Sequence, residues 1–211
     1  MRRNDWPFVN ALGRCILAGI CIGVGSYVNM KLGGVAGAVM FAFGLLVIVK
    51  MGYGLFTGLA GRVPGRITLL LLSLIGNFIG CAAMGLLGKY CSVFDMSSAA
   101  DAIMSSRIAA GPLKCFFLSI PCGAIVTWAV VNAREDGSTT NWMPLFLGVP
   151  IFILCGFPHC IADIYTMSAV SDGFLFDNWQ SMLAVWGSII LGNYIGCNIF
   201  RIEINSESRF F

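Results

Sequence analysis

Two polar side chains stand close together in an otherwise apolar stretch. "ILCGFPHCIADIY", Ile153 to Tyr165, holds the only histidine of the chain, His159, and a carboxylate four residues later, Asp163. An imidazole with an unperturbed pKa of about 6.5 exchanges protons near neutral pH. Such a group can donate a proton, donate a hydrogen bond or, once protonated, act as a fixed positive charge. Thr57 stands in a second apolar stretch, "MGYGLFTG", where its hydroxyl can both donate and accept. Nucleophilic or metal chemistry finds little support. There is one histidine and no GxSxG motif, and the nine cysteines show neither CxxC nor Cys/His metal spacing. Cys160 is a poor partner for His159, since adjacent residues on a helix point apart. The cysteines read as small buried hydrophobes.

The elements that must position these groups are membrane helices. The 211 residues are 58% hydrophobic and 11% charged, against about 25% charged in a soluble domain. The mean hydropathy is +0.85. A bilayer core of about 30 Å takes about 20 apolar residues in a helix. Six such segments are expected, at 10–30, 34–60, 67–88, 114–133, 143–170 and 181–200. They define an all-α polytopic membrane protein, one transmembrane domain over residues 1–211 with no soluble domain left over.

A repeat is hidden in the third and sixth segments. "GNFIGC" (Gly76–Cys81) and "GNYIGC" (Gly192–Cys197) share a pattern that places Asn77 and Asn193 at matching positions. Glycines four apart let helices approach closely in lipid. Two copies of three helices each, at 1–90 and 107–211, would enter the membrane from opposite sides. Such inverted 3+3 repeats put the functional path near the midplane, at interrupted helices. Segments two and five are the interrupted ones. Segment two carries Gly52, Gly54 and Gly58 around Thr57, and segment five carries Gly156 and Pro158 before His159. Proline removes a donor and ends or kinks the helix before it. Broken backbone at membrane depth is tolerated only against protein or a water-filled cavity, so both breaks are expected to face an internal pathway.

Charge sets the orientation. Arg2, Arg3, Arg14, Arg62, Arg66, Arg134, Arg201 and Arg209 fall on one side of this layout, and Lys31, Lys89, Arg107 and Lys114 on the other. The majority marks the cytoplasmic side, with both termini there. These arginines are scattered over short links, which speaks against nucleic acid as a partner. Arg14 interrupts the first apolar run, which reads as a first membrane helix and not as a cleaved leader.

Taken together, "FAFGLLVIVKMGYGLFTG" (Phe41–Gly58), "FILCGFPHCIAD" (Phe152–Asp163) and the paired "GNFIGC" and "GNYIGC" resemble the formate/nitrite transporter family of pentameric anion channels. The resemblance covers essentially the whole chain. It implies an aquaporin-like fold of six helices with one pore in each of five protomers. It implies a constriction at Phe41 and Phe56 with Leu45 one helical turn from Phe41, and a second constriction at Phe152. Thr57 and His159 would be the polar pair between them, and Arg107 the basic residue of the outer vestibule, with Lys114 as the alternative. The partners would be a small monovalent anion such as formate, nitrite or hydrosulfide, the lipid bilayer of the cell membrane, and four further copies of the chain. No cofactor or metal is implied, and no enzymatic activity.

Dehydrating an anion in an apolar slit is expensive. His159 could protonate it or hold it by charge, while Thr57 and backbone N–H groups freed at the breaks could hydrogen-bond it. Two positions depart from the family pattern. Pro158 stands where an acid usually precedes the histidine, and Asp163 where an asparagine usually follows it. Asp163 is expected to hold His159 charged or, alternatively, to pair with Lys50, a cation inside segment two. These departures leave room for an aquaporin-like pore for a small neutral solute.

Overall fold

The computed structural model describes residues 8–133 and 142–199. Arg2, Arg3, Arg134, Arg201 and Arg209, used above for orientation, lie outside the described residues. Eight helices appear among those described: α1 (Phe8–Leu32), α2 (Gly34–Met51), α3 (Phe56–Arg62), α4 (Ile67–Cys91), α5 (Met96–Asn132), α6 (Met143–Leu154), α7 (Ala162–Ala169) and α8 (Asp172–Asn198). By length and composition, α1 (from Val9), α2, α4 and α5 can each cross a membrane, and α6 is a shorter apolar helix. The expected long segments two and five are each split, into α2 with α3 and α6 with α7.

Both splits use the same local chemistry. Gly52 closes α2 at φ 68° and Gly156 closes α6 at φ 70°, a left-handed conformation that only glycine adopts without penalty. Gly52 N–H donates to Val49 O at 3.2 Å and Tyr53 N–H to Ile48 O at 2.9 Å. Gly156 N–H donates to Ile153 O at 3.0 Å and Phe157 N–H to Phe152 O at 2.9 Å. This pair of bonds is the Schellman stop. The expectation that Pro158 ends the helix is therefore corrected: Gly156 ends it, and Pro158 lies beyond the stop.

The other difference is α5. Residues 96–110 read as a link between segments three and four, yet they are helical. Asp95 caps them by accepting from Ser98 N–H at 3.0 Å, and Gly111, at φ 79°, kinks the chain ahead of Pro112. The second part of α5 is the expected fourth segment.

Packing follows the small-residue pattern. The broadest interfaces join α1 to α4 and α5 to α8. A Cβ on Gly80 of α4 would collide with Ile16 O of α1, and a Cβ on Gly196 of α8 with Ile120 O of α5. Backbone therefore meets backbone at the matching glycine of each repeat motif. The periphery is apolar: Phe43, Phe78, Trp179 and Leu183 are exposed, as expected of helices whose outer faces meet lipid.

Candidate functional site

The two breaks are pinned from behind by Asn77 and Asn193, both fully buried. Asn77 Oδ1 accepts from Phe56 N–H at 2.8 Å, and its Nδ2 donates to Gly54 O and to Cys15 O of α1, each at 2.8 Å. Asn193 Oδ1 accepts from Cys160 N–H at 2.8 Å, and its Nδ2 donates to Pro158 O at 3.1 Å and to Ser119 O of α5 at 2.7 Å. Each carboxamide replaces bonds that the interrupted helix has given up. Three partners saturate much of its capacity, and neither asparagine lines the cavity described below. Their part is to hold the breaks.

Other carbonyls of the second break are also engaged. Cys160 O accepts from Trp186 Nε1 at 2.7 Å, Ile161 O from Cys81 Sγ at 3.1 Å and Gly156 O from Arg107 Nη1 at 2.8 Å. At the first break, Arg14 Nη2 donates to Met51 O at 2.7 Å. Buried backbone polar groups need such partners, so these two irregular segments are defined structures.

Held in this way, the breaks bring Thr57 and His159 together. Thr57 Oγ1 lies 3.2 Å from His159 Nε2. Thr57 is fully buried and His159 is 3% exposed. Ala162 N–H donates to His159 Nδ1 at 3.2 Å, so Nδ1 is the unprotonated nitrogen of a neutral ring and Nε2 carries the proton. That proton points at the threonine oxygen, which leaves the hydroxyl's own hydrogen to donate onward. Thr57 is itself oriented through its carbonyl, which accepts from Thr127 Oγ1 at 3.2 Å.

Two of the expected constriction aromatics meet in space. Phe41 meets Phe152 edge to face at 6.0 Å between centroids, and Phe152 stacks on His159 at 5.8 Å. Phe41, Phe152 and the imidazole thus form one aromatic cluster. Phe56 opens α3 immediately before Thr57 and is buried, as is Leu45 on α2.

A cavity of about 420 Å³ opens on the aromatic side of His159. Phe41, Phe152, His159, Asp163 and Arg107 all line it, while Thr57, Phe56 and Leu45 do not. Arg107 Nε lies 3.7 Å from Asp163 Oδ2. The two expectations for Asp163 are therefore corrected. Both ring nitrogens of His159 are directed at other partners, and Lys50 sits over the Trp142 ring, 4.2 Å from its centroid. The carboxylate faces Arg107 because the first part of α5 brings that side chain to the α6–α7 break. Lys114, the alternative to Arg107, is exposed and outside the cavity. Ser26 and Asn29 near the end of α1, Ser106 beside Arg107 and Thr166 one turn after Asp163 add to the polar lining. Sequence reasoning missed these four; Ser106 was reachable, since the Asp95 cap and the Gly111-Pro112 stop mark out its helix. Among the described residues no cluster of His, Cys, Asp or Glu could hold a metal ion.

Relatives share this plan. A relative from Plasmodium ovale, described as a formate-nitrite transporter, is 28% identical over 87% of this chain and 72% of its own length. One from Plasmodium knowlesi with the same description is 27% identical, over 97% and 80%. Among solved structures, a pentameric formate channel with formate bound superposes with a TM-score of 0.74 at 22% identity, covering 93% of this chain and 95% of that one. A second, described as an FNT family ion channel, gives 0.72 at 18% identity, over 92% and 86%. The profile of the formate/nitrite transporter family matches residues 1–205, and the chain belongs to that family.

Proposed function

We propose that the protein is a channel for small monovalent anions of the formate, nitrite or hydrosulfide class. It would work as a homopentamer in the cell membrane, with one pore per protomer, six spans arranged as an inverted 3+3 repeat and both termini cytoplasmic. Family membership and the pentameric formate channel among its structural neighbours support this reading. The observation that carries it is the Thr57–His159 pair, a buried hydrogen-bonded relay at the meeting point of two broken helices.

The geometry supports a route for the anion. Arg107 draws the anion into the cavity. The Phe41–Phe152 slit strips its water. Beyond the slit, the His159 Nε2–H and the Thr57 hydroxyl are the polar step on an apolar path. A hydrogen bond is stronger there than in water, because the surroundings screen it less. Leu45 and Phe56, both buried and outside the cavity lining, would form the second constriction. The neutral tautomer supports a hydrogen-bonding role for His159 over that of a fixed positive charge.

One observation favours a second reading, a pore for a small neutral solute. Asp163 faces Arg107 at 3.7 Å, and with His159 neutral the cavity carries no net charge. Flux into proteoliposomes separates the two readings. Formate, nitrite and hydrosulfide are compared with glycerol and urea from pH 5 to 8, for the native chain and His159→Ala. The channel reading expects anion uptake that collapses in the variant. Passage of glycerol or urea without anion flux would transfer the assignment to the neutral pore.

A further inference from the structure

Ser106 and Arg107 reach the cavity from the first part of α5, residues 96–110. Gly111, at φ 79°, interrupts the helix ahead of Pro112, so this segment is not a rigid extension of the second part. Met96, Ala100 and Met104 form its buried face. Apolar contact is non-directional. It holds the segment down without fixing its rotation or its tilt about Gly111. A directional contact is needed to set where the Arg107 side chain stands.

Asp101 supplies one. Its Oδ1 accepts from Ser171 N–H at 2.9 Å and its Oδ2 from Ser171 Oγ at 2.7 Å. Both oxygens of one carboxylate are thus spent on a single residue 70 positions away. Hydrogen bonds to a carboxylate are the stronger kind. Ser171 lies between α7, which ends at Ala169, and α8, which starts at Asp172. It is the N-cap of α8, where its Oγ also accepts from Phe174 N–H at 3.3 Å. α7 carries Asp163 and Thr166 of the cavity lining. Asp101 therefore ties the segment that carries Arg107 to the element that carries Asp163.

The second directional contact is made by Arg107 itself, whose Nη1 donates to Gly156 O at 2.8 Å. Asp101 and Arg107 are spaced by about 9 Å along the helix, at 1.5 Å per residue. Two such points fix both the position and the rotation of the segment, whereas one leaves a pivot. Neither Asp101 nor Ser171 lines the cavity, so any influence they have on an entering ion passes through Arg107.

We propose that Asp101 is a positioning residue for anion entry: its two bonds to Ser171 keep Arg107 at the cavity. The inference rests on the channel reading above, in which Arg107 draws the anion in. Without this latch the guanidinium holds its place for only part of the time, and apparent affinity falls with the binding-competent fraction. A fraction of about one fifth weakens binding about fivefold. The later steps are untouched, because Thr57 and His159 are held through Asn77, Asn193 and Thr127. Charge alone gives the opposite sign. Removing a carboxylate near an anion's entrance strengthens anion binding, whereas losing the latch weakens it.

The test measures formate uptake into proteoliposomes against formate concentration for the native chain, Asp101→Ala and Ser171→Pro. Ser171→Pro removes both donors and keeps the carboxylate. The backbone already suits proline, with Ser171 at φ −61° and Val170 extended before it. The lost cap to Phe174 bears on stability and not on half-saturation. Both variants are expected to raise the half-saturating concentration about fivefold. Maximal flux stays close to native, the split expected when binding alone is lost. In an Arg107→Gln background the same changes are expected to add no further rise, since they act through the guanidinium. An unchanged or lowered half-saturation in either folded variant overturns the proposal and leaves the channel reading intact. Reduced maximal flux at native half-saturation, or a further rise in the Arg107→Gln background, overturns it equally. If Asp101→Ala does not fold, Ser171→Pro decides. Absence of saturable formate uptake by the native chain overturns the channel reading and this inference with it.

Discussion

Thr57 and His159 are 102 residues apart in the chain and 3.2 Å apart in space. Neither lies within regular helix on both sides. Thr57 is the second residue of α3, just after the first break, and His159 lies inside the second. The contact is thus a property of two helix stops and not of either segment. At each stop a left-handed glycine ends the helix, and a buried carboxamide accepts from an N–H of the break.

The hydroxyl of Thr57 should be separable from its shape. Thr57→Val keeps the branched volume and removes the hydrogen bond to His159 Nε2. A bond of about 1.4 kcal/mol at the barrier corresponds to about a tenfold change in rate. Formate flux in proteoliposomes is expected to fall by roughly that factor, with Thr57→Ser close to native. Equal flux in the valine and serine variants would remove the hydroxyl from the pathway.

Asn77 and Asn193 should behave as structural equivalents. Asn77→Leu leaves Phe56 N–H, Gly54 O and Cys15 O without their partner, and Asn193→Leu does the same to Cys160 N–H, Pro158 O and Ser119 O. One orphaned buried group costs about 1–3 kcal/mol, so each variant is expected to lose at least about 2 kcal/mol. Thermal unfolding in detergent, followed by circular dichroism, reads this directly. A native midpoint in either variant would show that the break does not depend on its carboxamide.

Glycine substitutions should sort by what faces them. Gly80→Ala and Gly196→Ala push a methyl into the carbonyls of Ile16 and Ile120, which are backbone and cannot turn aside. Overpacking of this kind costs about 1–3 kcal/mol. Gly187 of α8 has nothing within 4 Å of its added carbon. Gly187→Ala should be neutral or stabilising by up to about 1 kcal/mol, through helix propensity alone. The same unfolding measurement ranks the three, and a Gly80→Ala protein as stable as Gly187→Ala would contradict the close α1–α4 packing.

By itself, the sequence determined the class of the protein, the long apolar segments, the two that are interrupted and the residues at each interruption. These are matters of composition and local chemistry. An apolar run of fixed length, a glycine cluster and a repeated Gly-Asn motif act on their own neighbourhood and can be read there. The sequence also pointed to His159, Thr57, Asp163 and Arg107 one by one. Only the tertiary structure decided who meets whom. Phe41 meets Phe152 in the aromatic cluster. Asp163 faces Arg107, and Lys50 lies over Trp142. Such pairings depend on the angle at which a chain leaves each helix stop and on the α5 segment that carries Arg107 across the break. Those angles are fixed by bonds between residues far apart in sequence, and no local pattern encodes them.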